Sequence, residues 1–430
     1  MTASSGSNPA RMTSLQYGTK VEHVIRGVQV TGGSCTVGPV EADASPADYE
    51  ITSAFTFTPS SARTYLQGGD ISRLNLELDH GVTYKAGGAS KDMVDLAVEN
   101  GWNWVRIRVF NDPGNSAYVP SKYMTAGYVN KTDAVALAKK AKDAGLQVLL
   151  SFHYSDYWTD PLIQNVPHAW TGYTQSQLET AVADYTTDVL QAMAAQSALP
   201  DYVSLGNEVN SGMFFGGNAD HTGYDAAYRY NRSAYAGFFK SGAAAVKAVS
   251  SAIKTVVHLT NPFTSSVTDM LNAMNSAGTS YDIIGLSYYP YWTEKTVSEF
   301  VTRANSLSSS YDKDIVIMET GFNWNTVTYY GDAGQLVDNR PYESIYPASA
   351  ENQRNYLQEL CNGVKSSNRI LGLLYWDPIT VKLNTWSGMN YMEGGTSHPN
   401  HDNGTVTQNS ALFDFEGNRL PAWDAFKYNN

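Results

Sequence analysis

The chain has 430 residues, 42% of them hydrophobic and 16% charged, which favours a folded protein with a large core over a disordered one. Its formal net charge is −12, whereas binding to nucleic acids requires a basic surface. The sequence contains no run of about 18 apolar residues, the length needed to cross a membrane. We therefore expect neither a nucleic-acid nor a membrane partner. The two cysteines, Cys35 and Cys361, are too few for a disulfide framework or a metal knuckle.

Residues 1–61 differ in pattern from the rest of the chain. Residues 21–30, 34–40 and 49–58 alternate between apolar and polar side chains as strands do, and no helical pattern lies among them. A segment this short rarely folds alone. It is predicted to be a β-rich extension, either part of a carbohydrate-binding β-sandwich or a strip packed on the domain at residues 62–430.

From residue 65 onward, strand-like and helix-like segments alternate. Each strand-like segment is a short apolar run, which is typical of parallel strands buried on both faces. Eight such pairs predict an α/β fold, the (β/α)8 TIM barrel. A doubly wound sheet is the competing α/β fold, but no Gly-rich phosphate loop follows the first strand, which disfavours its dinucleotide-binding form. The predicted strands are residues 65–71, 104–110, 147–153, 202–206, 254–259, 282–287, 314–318 and 371–375, and the predicted helices are residues 90–100, 131–145, 175–197, 225–251, 265–276, 296–309, 350–366 and 421–428.

Every predicted strand ends in polar or aromatic residues. The carboxyl ends of the strands form the working face of such a barrel, so these side chains are expected to meet at one rim. Each one alone has an ordinary explanation, such as a salt-bridged core arginine or a packed tryptophan. Burying groups from all eight strand ends without a function would cost free energy at each unpaired one, which favours a site. In chain order they are Asp70, Arg106, Arg108, His153, Asp156, Trp158, Asn207, Glu208, His258, Asn261, Tyr288, Tyr289, Trp292, Glu319, Trp376 and Asp377.

Glu208 and Glu319 are the candidate catalytic pair. They end the fourth and seventh strands, so they can face each other across the barrel mouth. Paired carboxyls hydrolyse glycosides with retention when they are about 5–5.5 Å apart and with inversion at about 6.5–9.5 Å. One of them must be ionised, which Arg106 would favour, whereas the other donates a proton and needs a raised pKa. Asn207 is a candidate partner for a sugar 2-hydroxyl.

Nine stretches, in order, carry a family resemblance. They are GGDIS (68–72), NWVRIRVFNDP (103–113), FHYSDYWTDP (152–161), GNEVNSG (206–212), HLTNP (258–262), SYYPYW (287–292), ET (319–320), LYWDP (374–378) and NSALFDFEGNRLP (409–421). With these stretches the chain resembles glycoside hydrolase family 53, the endo-β-1,4-galactanases, which belong to a clan of (β/α)8 retaining glycosidases. The resemblance extends from about residue 65 to the end of the chain.

The resemblance implies a role for each matching residue. Glu208 matches the family's acid/base, Glu319 its nucleophile and Arg106 the arginine beside the nucleophile. Residues matching the subsite of the attacked sugar are His153, Asn207, Tyr289 and Trp376; candidate sugar platforms are Trp158, Trp170 and Trp292, and Asp156 is a further candidate substrate contact. The implied reaction is internal hydrolysis of the β-1,4-galactan of pectin side chains, without a cofactor. The alternatives are another endo-β-glycanase of the clan, such as a mannanase or glucanase, or a non-catalytic sugar-binding barrel.

The chain departs from the family pattern in three places. Residues 212–217, GMFFGG, stand where Trp-Pro usually follows the acid/base, and Asp377 stands where Glu is usual. Residues 321–335 lack the calcium loop that some bacterial members carry after the nucleophile, and residues 398–403, HPNHDN, are either a calcium loop or a solvated loop. We expect a monomer that is extracellular or at the cell surface, because the implied substrate is a polymer.

Overall fold

The computed structural model describes residues 65–114, 126–215, 228–329, 334, 336, 338–381 and 407–427, together with the backbone of three short N-terminal strands. Two compact units are present. One consists of Met1–Tyr65 with Phe426–Asn430, and the other is Leu66–Ala425.

The first unit contains a small antiparallel sheet. Its strands are β1 (Thr2–Ser4), β2 (Arg11–Ser14) and β3 (Val21–Val24), and they pair in chain order. The strand β3 covers the beginning of the predicted strand at residues 21–30, whereas residues 34–40 and 49–58 lie outside the described residues. A carbohydrate-binding sandwich in this segment stays a prediction.

The second unit is built on a closed parallel barrel, which confirms the predicted (β/α)8 architecture. Its eight strands follow chain order around the barrel, and the last strand pairs with the first. A two-stranded hairpin, β5 and β6, stands apart from them. The strands of this unit are β4 (Leu66–Asp70), β5 (Tyr84–Ala86), β6 (Ala89–Lys91), β7 (Trp104–Val109), β8 (Gln147–Phe152), β9 (Tyr202–Leu205), β10 (Lys254–Thr260), β11 (Ile283–Ser287), β12 (Asp314–Glu319) and β13 (Ile370–Tyr375).

Helices follow the strands and cover the barrel. They are α1 (Leu74–Asp79), α2 (Met93–Glu99), α3 (Lys131–Asp143), α4 (Gln175–Ala195), α5 (Arg232–Val249), α6 (Ser265–Ser276), α7 (Pro290–Thr293), α8 (Val297–Tyr311), α9 (Ala350–Lys365) and α10 (Asp424–Lys427). Thr174 and Thr296 begin α4 and α8 with reciprocal capping hydrogen bonds to the residue three positions on. No described helix is both long enough and apolar enough to cross a membrane.

The prediction of a helix over residues 90–100 is wrong at its beginning. Ala89–Lys91 belongs to the hairpin strand β6, and the helix begins only at Met93. The Asp92 side chain accepts hydrogen bonds from the backbone N–H groups of Val94 and Asp95, so it caps the helix and ends the strand before it. The helix α1 and the hairpin were not predicted from the sequence.

Apolar side chains fill the barrel interior. Leu66, Trp104, Leu149, Val256, Ile283, Val316, Met318 and Leu374 form one buried cluster, to which seven of the eight barrel strands contribute. The strands approach closely where glycines stand: a Cβ at Gly68 would lie 1.6 Å from the Trp104 carbonyl oxygen, and one at Gly372 would lie 1.9 Å from that of Leu66. These two glycines are therefore needed for β4 to fit between its neighbours.

The carboxyl ends of the barrel strands carry strained backbone. Within three residues of the ends of β8, β9, β10 and β13, the chain adopts a left-handed conformation at Tyr154, Glu208, Asn261 and Asp377, with φ between 44° and 48°. Residues with a Cβ adopt this conformation at an energetic cost. These four residues lie at the rim where the sequence places the candidate site.

Candidate active site

Glu208 is presented to the barrel mouth by a tight turn after β9. Its φ is 48°, and it precedes a short 3-10 helix, Val209–Ser211. Gly206, with φ of 97°, makes the turn possible, because a Cβ there would lie 2.6 Å from the Val209 side chain. The turn leaves Glu208 only 9% exposed at the end of a buried strand.

Opposing effects of its surroundings set the pKa of Glu208. Burial, followed by the negative charge of Glu319, raises the pKa of Glu208 from 4.5 to about 8. The side-chain hydroxyls of Ser287 and Thr260 act in the opposite direction, because they favour the ionised carboxylate. Glu208 is therefore a neutral acid at neutral pH, which is the state that a proton donor needs.

Glu319 ends β12 and is held by two direct contacts. The Arg106 guanidinium forms an ion pair with its Oε1, and the Tyr289 hydroxyl donates a hydrogen bond to its Oε2 at 3.0 Å. Burial, followed by the Glu319 charge, raises the pKa of Tyr289 well above its ordinary value, so the phenol remains a donor. Each carboxylate oxygen of Glu319 thus faces a hydrogen-bond donor.

Arg106 connects the nucleophile candidate to the other strands. Its Nη2 donates to Asn207 Oδ1 at 2.7 Å and to Ser151 Oγ at 3.3 Å. Asn207 Nδ2 in turn donates to the Thr159 carbonyl at 3.0 Å. One N–H of the Asn207 amide stays available, since a primary amide carries two. The arginine therefore fixes an amide directly beside Glu208.

His153 lies at the same rim as a neutral imidazole. It is buried, its Nδ1 is 2.7 Å from Thr159 Oγ1, and its Nε2 has no hydrogen-bond partner among the described residues. Burial, followed by the positive charges of Arg106 and Arg108, lowers the pKa of His153 well below its ordinary value.

Aromatic side chains form one wall of the site. Trp158, Tyr289 and Trp376 pack in one cluster, with ring centroids 6.3 Å apart for the two tryptophans and 6.2 Å apart for Tyr289 and Trp376. The Trp376 Nε1 is buried and has no hydrogen-bond partner among the described residues. Trp292, on α7, packs edge-on against Tyr289 and is 44% exposed, so part of its ring is accessible to a ligand.

Two residues singled out from the sequence occupy structural positions. The Asp156 carboxylate accepts hydrogen bonds from the backbone N–H groups of Asp112 and His168 at 2.9 and 2.7 Å, and it thereby joins two loops. Trp170 packs against Phe214 and Tyr185 and is 9% exposed. Asp156 as a substrate contact and Trp170 as a sugar platform both stay predictions.

Some polar contacts at the site were not predicted from the sequence. Ser287 and Thr260 are the last residues of β11 and β10, and each lies in an apolar run. Their position at the strand ends was the only available signal. His258 Nε2 lies 2.8 Å from Ser287 Oγ, so the residue supporting Glu208 is itself supported.

Metal ligands are not grouped in the described part of the chain, where no cluster of three His, Cys, Asp or Glu side chains could hold an ion. The calcium candidate at residues 398–403 lies outside the described residues. The absence of a cofactor and the possibility of calcium both stay predictions.

A closed (β/α)8 barrel holding two buried carboxylates at the carboxyl ends of its strands has the fold and site of a barrel glycoside hydrolase. Residues 66–426 match glycosyl hydrolase family 53. The chain belongs to this family and is a glycoside hydrolase.

Relatives support the same assignment. An arabinogalactan endo-β-1,4-galactanase from Cellvibrio japonicus is 32% identical over 367 residues, covering 84% of this chain and 90% of the relative. The Ignisphaera aggregans GH53 catalytic domain superimposes with a TM-score of 0.74 at 30% identity, covering 86% of this chain and 98% of that domain. A fungal β-1,4-galactanase structure has a TM-score of 0.66 at 26% identity, covering 85% and 99%.

Proposed function

We propose that this protein is an endo-β-1,4-galactanase that retains the anomeric configuration, with Glu319 as nucleophile and Glu208 as acid/base. The observation that carries the proposal is the contrast between the two carboxyls. Glu208 is held neutral by burial and by the Glu319 charge, whereas Glu319 is bound by the Arg106 guanidinium and the Tyr289 hydroxyl. A proton-donating carboxyl beside a second carboxyl held by donors is the pairing that glycoside hydrolysis needs, and retention is proposed from the resemblance to a clan of retaining glycosidases.

The reaction proceeds in two displacements. In the first, a Glu319 oxygen attacks the anomeric carbon, the glycosidic bond breaks, and the Glu208 proton moves to the departing oxygen. In the second, the ionised Glu208 takes a proton from water, whose oxygen attacks the same carbon and releases Glu319 as a carboxylate. The proton taken from water restores the starting form of Glu208.

The structure offers a reason for the change in the role of Glu208. The Glu319 charge is the second-largest cause of the raised pKa of Glu208. Esterification of Glu319 removes this charge, so the pKa of Glu208 falls in the intermediate and its carboxylate becomes available as a base. Burial, the largest cause, persists through both steps.

The sugar in the attacked subsite is proposed to satisfy the donors and acceptors that have no partner within the described part of the chain. These are the buried His153 Nε2, the Trp376 Nε1 and the second N–H of Asn207. Buried polar groups are nearly always paired in a functional state, and sugar hydroxyls can both donate and accept. Trp158 and Trp292 extend the site with aromatic faces, and we assign Trp292 the more open platform.

Substrate choice rests on the relatives, whose printed names are galactanases. A panel of soluble β-glycans, comprising galactan, mannan and mixed-linkage glucan, assayed for new reducing ends tests it. We expect galactan to be cut internally and the others to remain intact. Cleavage of mannan or glucan in place of galactan would assign another activity of the clan, and binding of galactan without cleavage would favour a non-catalytic barrel.

The mechanism is tested with Glu208→Ala and an aryl galacto-oligosaccharide whose phenol leaves without protonation. The first step should then proceed and the second should stall for want of a base, so a glycosyl ester accumulates on Glu319. Intact-protein mass spectrometry and peptide mapping locate the ester, and Glu319→Gln is the matched control without an adduct. A product of inverted configuration, seen by NMR, would contradict the mechanism.

We further propose that the enzyme acts as a monomer. We also propose that it acts outside the cell or at its surface, because a polysaccharide must be cut before it can be taken up. No cofactor has a role in the two displacements.

A further inference from the structure

Five buried side chains form a row of alternating charge that leads away from Glu319. Arg106 pairs with Glu319, and its Nε lies 3.6 Å from Asp70 Oδ2. Arg108 Nε lies 3.1 Å from the same Asp70 oxygen, and its Nη2 donates to Asp377 Oδ1 at 2.9 Å. The row therefore runs Glu319, Arg106, Asp70, Arg108, Asp377, and its most exposed member is Glu319 at 7%.

The row follows from the geometry of the strands. Arg106 and Arg108 are two residues apart on β7, so both point to the same face of the strand. Two neighbouring guanidinium groups repel each other unless an anion lies between them. Asp70, at the end of the adjacent strand β4, supplies that anion, and its Oδ1 is fixed by the backbone N–H of Ser72 at 2.9 Å.

Among the described residues, Asp70 is the charged partner of Arg106 besides Glu319. The other guanidinium nitrogens face Glu319 on β12, Ser151 on β8 and Asn207 two residues after β9. The ion pair with Glu319 exists only while Glu319 is charged. Asp70 takes no part in the ester, so its contact with Arg106 can hold the guanidinium in place through the intermediate.

We propose that Asp70 is a positioning residue that fixes Arg106 against Glu319 throughout both displacements, and that Asp377 supports it through Arg108. This inference rests on the proposed role of Glu319 as nucleophile. The ion-pair partners of Asp70 are the two arginines. Asn207, which Arg106 also contacts, is held independently by its hydrogen bond to the Thr159 carbonyl, so we expect the loss of Asp70 to act on kcat and not on KM.

The test replaces Asp70 with Asn, which keeps the side-chain shape and removes the charge. With a soluble β-1,4-galacto-oligosaccharide, we expect kcat to fall by about 100-fold, the size of effect that a misplaced reacting group produces, with KM unchanged. Asp377→Asn, one ion pair further from Arg106, should lower kcat by a smaller factor, again with KM unchanged. An unchanged kcat in a folded Asp70→Asn protein would overturn the inference.

The matched control is Asp133→Asn. Asp133 is also a buried carboxylate, but its oxygens accept hydrogen bonds from Asn75 and from the backbone of Val129, away from the arginines. It should keep the wild-type kcat. If Asp70→Asn does not fold, Asp377→Asn decides alone: a lower kcat supports the inference and an unchanged kcat refutes it. A wild-type protein that cuts no galactan would instead refute the proposed function.

Discussion

At the scale of single residues, the two glutamates differ because of what surrounds them and not because of their chemistry. Glu208 is buried beside a second carboxyl, whereas Glu319 faces a guanidinium and a phenol. The sequence could predict that both would reach one rim, because each follows an apolar strand. It could not predict which hydroxyls would reach Glu208, since Ser287 and Thr260 lie within apolar runs and depend on strand register.

The pH profile should report the environment of Glu208. The pKa of about 8 predicts that kcat/KM falls as the pH rises through this value, because the proton donor is lost. Ser287→Ala removes a hydroxyl that favours the ionised form, so the falling limb should move to higher pH. Initial rates against pH measure it. The control is Ser308→Ala, which changes a buried serine on α8. A falling limb that moves to lower pH in Ser287→Ala would contradict the assignment.

At the scale of elements, the strands were well predicted and the connections were not. The apolar runs gave all eight barrel strands within two residues of their observed ends, because a strand buried on both faces tolerates few polar residues. The start of α2 was misplaced, since residues 89–91 are polar enough to fit the edge of a helix as well as a hairpin. The ion pairs of Asp70 with two arginines depend on how β4 and β7 are paired, which periodicity alone does not specify.

Barrel closure should fail when Gly68 acquires a side chain. Its Cβ would overlap the Trp104 carbonyl oxygen at 1.6 Å, and backbone in the middle of a barrel cannot move aside. We expect Gly68→Ala to be insoluble or to melt far below the wild type. Gly81→Ala is the control, because its Cβ meets open space and the change costs only the strain of a φ of 83°, roughly 1–2 kcal/mol. Thermal denaturation of both variants measures the difference, and similar melting temperatures would argue against the close strand contact.

At the scale of the whole molecule, raised carboxyl pKa values make the folded state bind more protons than the unfolded chain does. Burial, followed by the Glu319 charge, raises the pKa of Glu208 to about 8, and burial raises that of Glu77 to about 7. Between pH 4.5 and these values, stability from both groups falls as the pH rises. His153 and His258 act in the opposite direction, because burial lowers the pKa of each imidazole well below 6.5. Below pH 6.5, the stability that they contribute therefore rises as the pH rises.

Comparing the wild type with Glu208→Gln isolates the contribution of this one carboxyl to the pH dependence of stability. The amide cannot ionise, so the loss of stability between about pH 5 and pH 8 should be smaller in the variant than in the wild type. Urea unfolding at both pH values measures the two differences. Equal losses in the two proteins would show that Glu208 titrates near its ordinary pKa.

Removal of residues 1–61 should separate binding from turnover. Every residue assigned to the site lies on or after the barrel strands, between Asp70 and Asp377. We therefore expect the shortened chain to cut soluble galacto-oligosaccharide at the wild-type kcat. Retention on insoluble galactan should fall if this segment belongs to a carbohydrate-binding sandwich. A pull-down with insoluble galactan measures retention, and a loss of kcat would place part of the active site in the segment.

The left-handed residues at the rim have a consequence for protein engineering. Tyr154, Glu208, Asn261 and Asp377 each hold a conformation that costs about 1 kcal/mol or more. Glycine at any of them would relieve that strain, but at Tyr154 it would empty a fully buried site and at Asp377 it would break the buried ion pair with Arg108. At Glu208 the same change would delete the proton donor. Heat-tolerant versions of this enzyme therefore have to be selected for turnover at the same time as for stability.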